Sequence, residues 1–234
     1  VQRGEEDRLP TAPAEAREAA LAAPQRRAAH GLAPAARTSD GLSLLSESTG
    51  PAPVQIGAGY PPDVNIDVGP EHIIETVNTG YAIYRKDTRA LVAANTMDAL
   101  FGAAPVPTGT ACDNANQGDP VVVYDTIADR WIISDFAWTD EVNGPFYECF
   151  AVSKTGDPVD GGWWFYAYDM GQYPAGAPVS DSYFPDYPKL GIWPDGLYMT
   201  LNMFDPLGNW SNGRAVAFDR TALEAGTAAD AVVF

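Results

Sequence analysis

The chain has 234 residues, 46% hydrophobic and 11% aromatic, which is enough apolar side chain for a packed core. Its formal net charge is −17, and so acidic a chain is repelled by phosphate backbones and anionic lipid, which sets aside nucleic-acid partners and charged membrane surfaces. No apolar run approaches the roughly 20 residues that a bilayer-spanning helix needs, so no membrane span is expected.

Residues 1–50 are rich in Ala, Arg, Glu and Pro and contain no Trp, Tyr or Phe. Glu15 to Ala29 has the composition of a short helix, but Pro24 interrupts it and few large apolar side chains line any face. With so little apolar area to offset ordering entropy, this stretch is expected to be a flexible arm or a propeptide remnant, docking on a partner being the other reading. The sequence opens on Val1, so any initiator Met or signal peptide is expected to have been removed or to lie upstream.

Residues 51–234 hold every aromatic residue and nearly all of the surplus acid. Short β-rich runs alternate there with Gly, Pro, Asn and Asp clusters, which predicts an all-β domain. Three segments, Asp63 to Asn78, Asp119 to Asp135 and Asp186 to Asn202, can be laid over one another. Each has a leading Asp, a short apolar strand, a turn with an acidic residue (Glu71, Asp129, Asp195) and a second strand. Two further strand-like runs follow each: Tyr81–Arg85 and a run near Leu91, then Pro145–Val152 and Trp163–Tyr168, then Ala215–Asp219 and Ala231–Phe234. Four antiparallel strands recurring at an irregular period are the pattern of β-propeller blades. A sandwich or jelly roll also supplies short strands but gives no reason for the Asp-strand-turn-strand unit to recur. Three blades are visible where complete propellers typically have at least four. The expectation is a partial propeller, completed by the remainder of a longer parent chain or by copies or other chains.

Several motifs carry a resemblance: Pro61-Pro-Asp63, Val68-Gly-Pro-x-His72, Gly118-Asp-Pro-Val-Val-x-Tyr-Asp125, Ala128-Asp-Arg-Trp131, and Phe184-Pro-Asp-Tyr-Pro-Lys189 with Trp193-Pro-Asp195. Over roughly residues 58–225 the chain resembles a group of secreted bacterial proteins with a sialidase-like β-propeller, mostly of unknown activity. The resemblance implies secretion, an extracellular or cell-surface location and a longer parent chain. True sialidases carry repeated Asp boxes. Here only Pro158-Val-Asp-Gly-Gly-Trp-Trp-Phe165 stands in such a place; it keeps Asp160 and Gly162, but Pro158 replaces the usual Ser or Thr. In an exported protein Cys112 and Cys149 are expected to form a disulfide, limiting denatured-chain entropy by roughly 4 kcal/mol.

Asp63, Asp119 and Asp186 each lead an innermost strand, so a propeller would gather them into an arc on one face, around the axis. Three roles are open to them: each caps its own turn, together they hold a calcium ion, or they act as catalytic carboxylates in glycoside hydrolysis, which needs a pair about 5–10 Å apart. The loops Ala137–Gly144 and Phe204–Gly213 are long, share that face, and present Trp138, Asp140, Glu141, Asp205 and Trp210. These residue types suit a glycan, although Trp138 and Trp210 serve equally well as covers for the core between blades. Asp63-Val-Asn65-Ile-Asp67-Val-Gly69 has the outline of a calcium loop, but its apolar β-branched spacing reads better as strand alternation. His72 reads as a turn or core residue, and Trp163–Tyr168 as an outer strand packed on both faces. The functional expectation is a secreted, non-catalytic binding or structural module; the alternatives are a glycoside-processing hydrolase and a calcium-stabilised adhesion module. No cofactor other than calcium is indicated.

Overall fold

The computed structural model describes residues 61–171 and 182–234, all within the unit Val54–Phe234. The arm expected over residues 1–50 lies outside the described residues. The first sheet is a meander of β1 (Asn65–Val68), β2 (His72–Val77), β3 (Gly80–Arg85) and β4 (Leu91–Thr96). The second runs β5 (Asn116–Asp125), β6 (Arg130–Ala137), β7 (Tyr147–Ser153) and β8 (Trp163–Asp169). The third runs β9 (Phe184–Trp193), β10 (Gly196–Phe204), β11 (Trp210–Phe218) and β12 (Ala231–Val233). Every neighbouring pair is antiparallel. The protein is therefore all-β, with three four-stranded sheets arranged as successive propeller blades; the described residues do not close a ring.

The pleat explains how the blades hold together. Along β6, Trp131, Ile133 and Ala137 point to one face and join Ile74 and Ile83 of the first sheet in a buried core. Ile132 points the other way and, with Phe150 and Val152 of β7, meets Leu197, Met199, Leu201 and Met203 of the third sheet. Both faces of the second sheet are thus covered, which is why β6 reads as an almost unbroken apolar run rather than an alternation. Burial of this kind contributes roughly 25 cal/mol per Å² of apolar surface.

Two short helices seal the blade edges. Helix α1 (Met97–Phe101) is capped by Thr96, whose hydroxyl accepts from the Ala99 amide, and it buries Met97, Leu100 and Phe101 in the first core. Helix α2 (Arg220–Ala225) is capped by Asp219 and ends at Gly226, whose φ of 71° is the left-handed conformation that glycine adopts without strain. The phenol of Tyr166 donates to Leu223 O (2.8 Å) and that of Tyr168 to Ala229 O (2.9 Å). Trp163 and Phe165 pack against the first core while Tyr166 and Tyr168 pack against the second, so β8 is covered on both faces as the sequence suggests.

An ion pair joins the second and third sheets. Arg220 Nη1 donates to Asp125 Oδ2 at 2.5 Å and to Glu224 Oε1 at 3.1 Å, and Asp125 has no exposed side chain. The disulfide expected from the sequence is present: Cys112, in the 3-10 turn Ala111–Asp113, is bonded to Cys149 of β7.

One expectation needs correcting. The region Phe204–Gly213 is not a long loop, because β10 extends to Phe204 and β11 begins at Trp210, across a bulge near Met203. Ser211, Asn212, Gly213 and Arg214 have little β propensity, yet their partners on β10 hold them in the ladder. One face of the third sheet carries a row of Gly191, Tyr198, Ala217 and Val232, exposed except for the half-buried Ala217, with exposed Trp193 beside it.

Candidate functional site

The three leading aspartates sit where the chain enters the inner strands, and the backbone is unusual there. Asp63 has φ 37° and Asp119 φ 48°, while in the third sheet the positive φ (56°) falls on Tyr187, next to Asp186. Asp enters the left-handed region more readily than most residues, so local geometry accounts for its recurrence at the first two positions. Asn78 ties the first two sheets together. Its Nδ2 donates to Pro61 O (2.9 Å) and to Asp63 Oδ2 (2.8 Å), and its Oδ1 accepts from the Asp119 amide (2.7 Å). Gly118 is required beside it, since a Cβ there would lie 2.7 Å from Asn78 Oδ1.

The structure brings Asp63, Asp119 and Asp186 close enough to act on one another electrostatically, each half-buried. Burial first, then the charges of Asp186 and Asp63, push Asp119 up to about 6. Asp186 is also raised, chiefly by burial. The Lys189 ammonium lies over the Tyr187 ring, 3.3 Å from its centroid, and donates to Pro188 O (2.9 Å). Burial lowers its pKa, against the pull of the three carboxylates.

Two further carboxyls lie behind this group. Asp135 accepts from the Gly118 amide at 3.2 Å and is raised well above its ordinary range by complete burial. It ends the second laid-over segment where Asn78 ends the first, and a protonated carboxyl offers the same donor-and-acceptor pattern as an amide. Glu148 lies across from Phe136 on β7 and has no exposed surface. Burial, followed by the charge of Asp119, drives it up to about 8; neither carboxylate oxygen meets a donor at hydrogen-bonding geometry, and only the neighbouring Ser134 hydroxyl tempers the shift.

Next to Asp186 opens a cleft of about 380 Å³, lined among others by Glu141, Phe146, Phe184, Asp186, Phe204 and Asp205. It lies between the β6–β7 and β10–β11 loops. Its floor is fixed by aromatic packing: the Phe184 ring meets those of Phe146 and Trp138 edge-on, with centroids 5.3 and 5.2 Å apart, and Trp138 is tilted against Phe136 at 4.9 Å. Of the residues singled out in these loops, Glu141 and Asp205 line the cleft, whereas Trp138 supports its floor from behind. Trp210 is exposed at the start of β11. Asp140 caps its own loop, accepting from the Val142 and Asn143 amides at 2.9 and 3.0 Å. Asp205 does the same for Leu207 and Asn209 at 2.9 and 2.8 Å, while its loop still borders the cleft.

Among the described residues no group of three or more His, Cys, Asp or Glu is spaced to hold a metal ion. The Asp63–Gly69 run is the β1 strand with its lead-in: Asn65 Oδ1 accepts from the Val122 amide (2.9 Å) and Asp67 Oδ2 from the Tyr124 amide (2.7 Å), stitching the inner strands of two blades. His72 is buried at the start of β2.

Fold and site together define an all-β protein of blade-like sheets with an acidic, aromatic-floored cleft at the junction of its second and third blades. Neither a protein-family model nor a curated protein matches the chain.

Proposed function

We propose that this chain is a non-catalytic binding module of an extracellular or cell-surface protein, and that its ligand sits in the cleft between the β6–β7 and β10–β11 loops. The observation that carries this reading is the cleft itself: a floor of interlocked Phe rings with a few carboxyls at its margin, on loops held by two packed blades. Glycoside hydrolysis fits the axial aspartates less well. It needs two carboxyls about 5–10 Å apart across the scissile bond, with a sugar or water between them. Of the three aspartates only Asp186 borders the cleft, so they do not present a pair of carboxyls to a sugar bound there.

The disulfide supports an oxidising compartment, and so does the resemblance to secreted sialidase-like proteins. The exposed Tyr198, Val232 and Trp193 on the third sheet support completion of the fold by further blades, from a parent chain or from other chains. The test is to follow Trp fluorescence and product formation while the protein is mixed with a panel of oligosaccharides and peptides. Saturable binding without turnover is expected; rapid turnover of any member would end the non-catalytic reading.

A further inference from the structure

Resting on that reading, we infer that the ligand of the cleft carries a cation on an apolar stem, an alkylammonium or guanidinium group such as a polyamine or a Lys or Arg side chain offers. The walls set the first half of this requirement. Phe146, Phe184 and Phe204 give an apolar, ring-edged surface suited to methylene groups, and 380 Å³ is ample for a side-chain-sized group. Charge sets the second half. Glu141, Asp186 and Asp205 all border the cleft, and among the described lining residues there is no Lys, Arg or His. Asp205 is held ionised by the Asn209 backbone amide and its own loop, so its charge persists across the ordinary pH range.

The cleft is also the open end of a longer row of carboxyls. Asp186 lies beside Asp63 and Asp119, whereas Glu148, fully buried behind Asp119 with its carboxyl pushed up to about 8, is neutral near pH 7 and adds no charge. Lys189, the nearest ammonium to this row, is held by the Pro188 carbonyl and the Tyr187 ring. An anionic ligand would meet repulsion from Glu141, Asp186 and Asp205. A neutral sugar could satisfy hydrogen bonds but would leave the charge uncompensated, whereas an ammonium or guanidinium answers it and can rest against the Phe rings.

The test uses the full chain, with calorimetry and Trp fluorescence, and four probes: agmatine, spermidine, the tripeptide Gly-Lys-Gly and the neutral trisaccharide maltotriose. The cationic probes are expected to bind, with affinity falling about tenfold as salt rises from low to high ionic strength. Glu141→Gln, a change on an exposed loop, should weaken them about fivefold, and Asp186→Asn more. Tighter binding of the tripeptide than of agmatine and spermidine would assign the cation to a peptide, and the reverse to a free amine. Binding of maltotriose in preference to every cation would overturn the inference while leaving the binding-module reading intact. Failure of all four probes would overturn both.

Discussion

Glu148 shows how much one position can depend on what packs against it. Its carboxyl titrates near 8 in the folded chain, driven there mainly by burial, against an ordinary value of 4.5. Between those two values the folded protein holds a proton that the unfolded chain has released. Stability therefore falls as pH rises through this window and recovers as pH drops. Asp119, raised to about 6 by burial and by its acidic neighbours, acts in the same direction over a lower range. Thermal melts should give a midpoint several degrees higher at pH 5.5 than at pH 8.5, and Glu148→Gln should flatten much of the difference; an unchanged slope in that variant would refute the assignment. Asp125 works in the opposite sense, because its lowered carboxyl loses stabilisation only in strong acid. None of this was legible at Glu148. In Pro145–Val152 it reads as an ordinary polar position of an alternating strand, and only the burial of both faces of the second sheet makes it costly. The leading aspartates were more transparent, since their recurrence in the sequence follows from their shared place at the inner strands, and the structure gathers them. Asn78, which ties two of them together, gave no signal beyond ending its segment.

At the level of elements, an ion pair between α2 and β5 adds to the apolar core that joins the third sheet to the second. Asp125 is completely buried, accepts from the Ile127 amide at 2.7 Å, and relies on Arg220 to balance its charge. Arg220→Met would leave that carboxylate uncompensated, and urea unfolding should report a loss of about 3 kcal/mol or more. Adding Asp125→Asn to the same chain should restore a large part of it; if the double variant is no better than the single, the pairing is not what Arg220 supplies. Strand identity was readable from the sequence wherever Val, Ile and aromatic residues dominate, as in β2, β6 and β8. It failed at β11, where Ser211 to Gly213 look like loop and are strand only because β10 offers them partners. Propensity describes a residue, whereas a ladder is a property of two segments, and this one is bent by a bulge that single-segment reasoning does not see.

For the whole molecule, the three-sheet architecture follows from repetition: a unit that cannot bury both faces alone is repeated until neighbours cover it. The disulfide ties the turn ahead of β5 to the middle of its own sheet, closing a loop with a sequence separation of 37. Replacing both cysteines with serine should cost about 3–4 kcal/mol on the chain-entropy model and lower the melting midpoint by roughly 10 °C, measured under non-reducing conditions. A midpoint within a degree or two of the parent would mean that the denatured chain is already constrained there.

The second sheet is gripped from both sides, with odd-numbered residues of β6 in one core and Ile132 in the other. A single inserted or deleted residue in β6 or β8 would exchange the two sets of side chains at once, sending Trp131 toward the methionines of the third blade and Ile132 toward α1. Length changes there spoil two interfaces in one event. The middle of the molecule should thus be the region least forgiving of insertions and deletions, and sequence drift that alters strand length should settle in the hairpins at its margins.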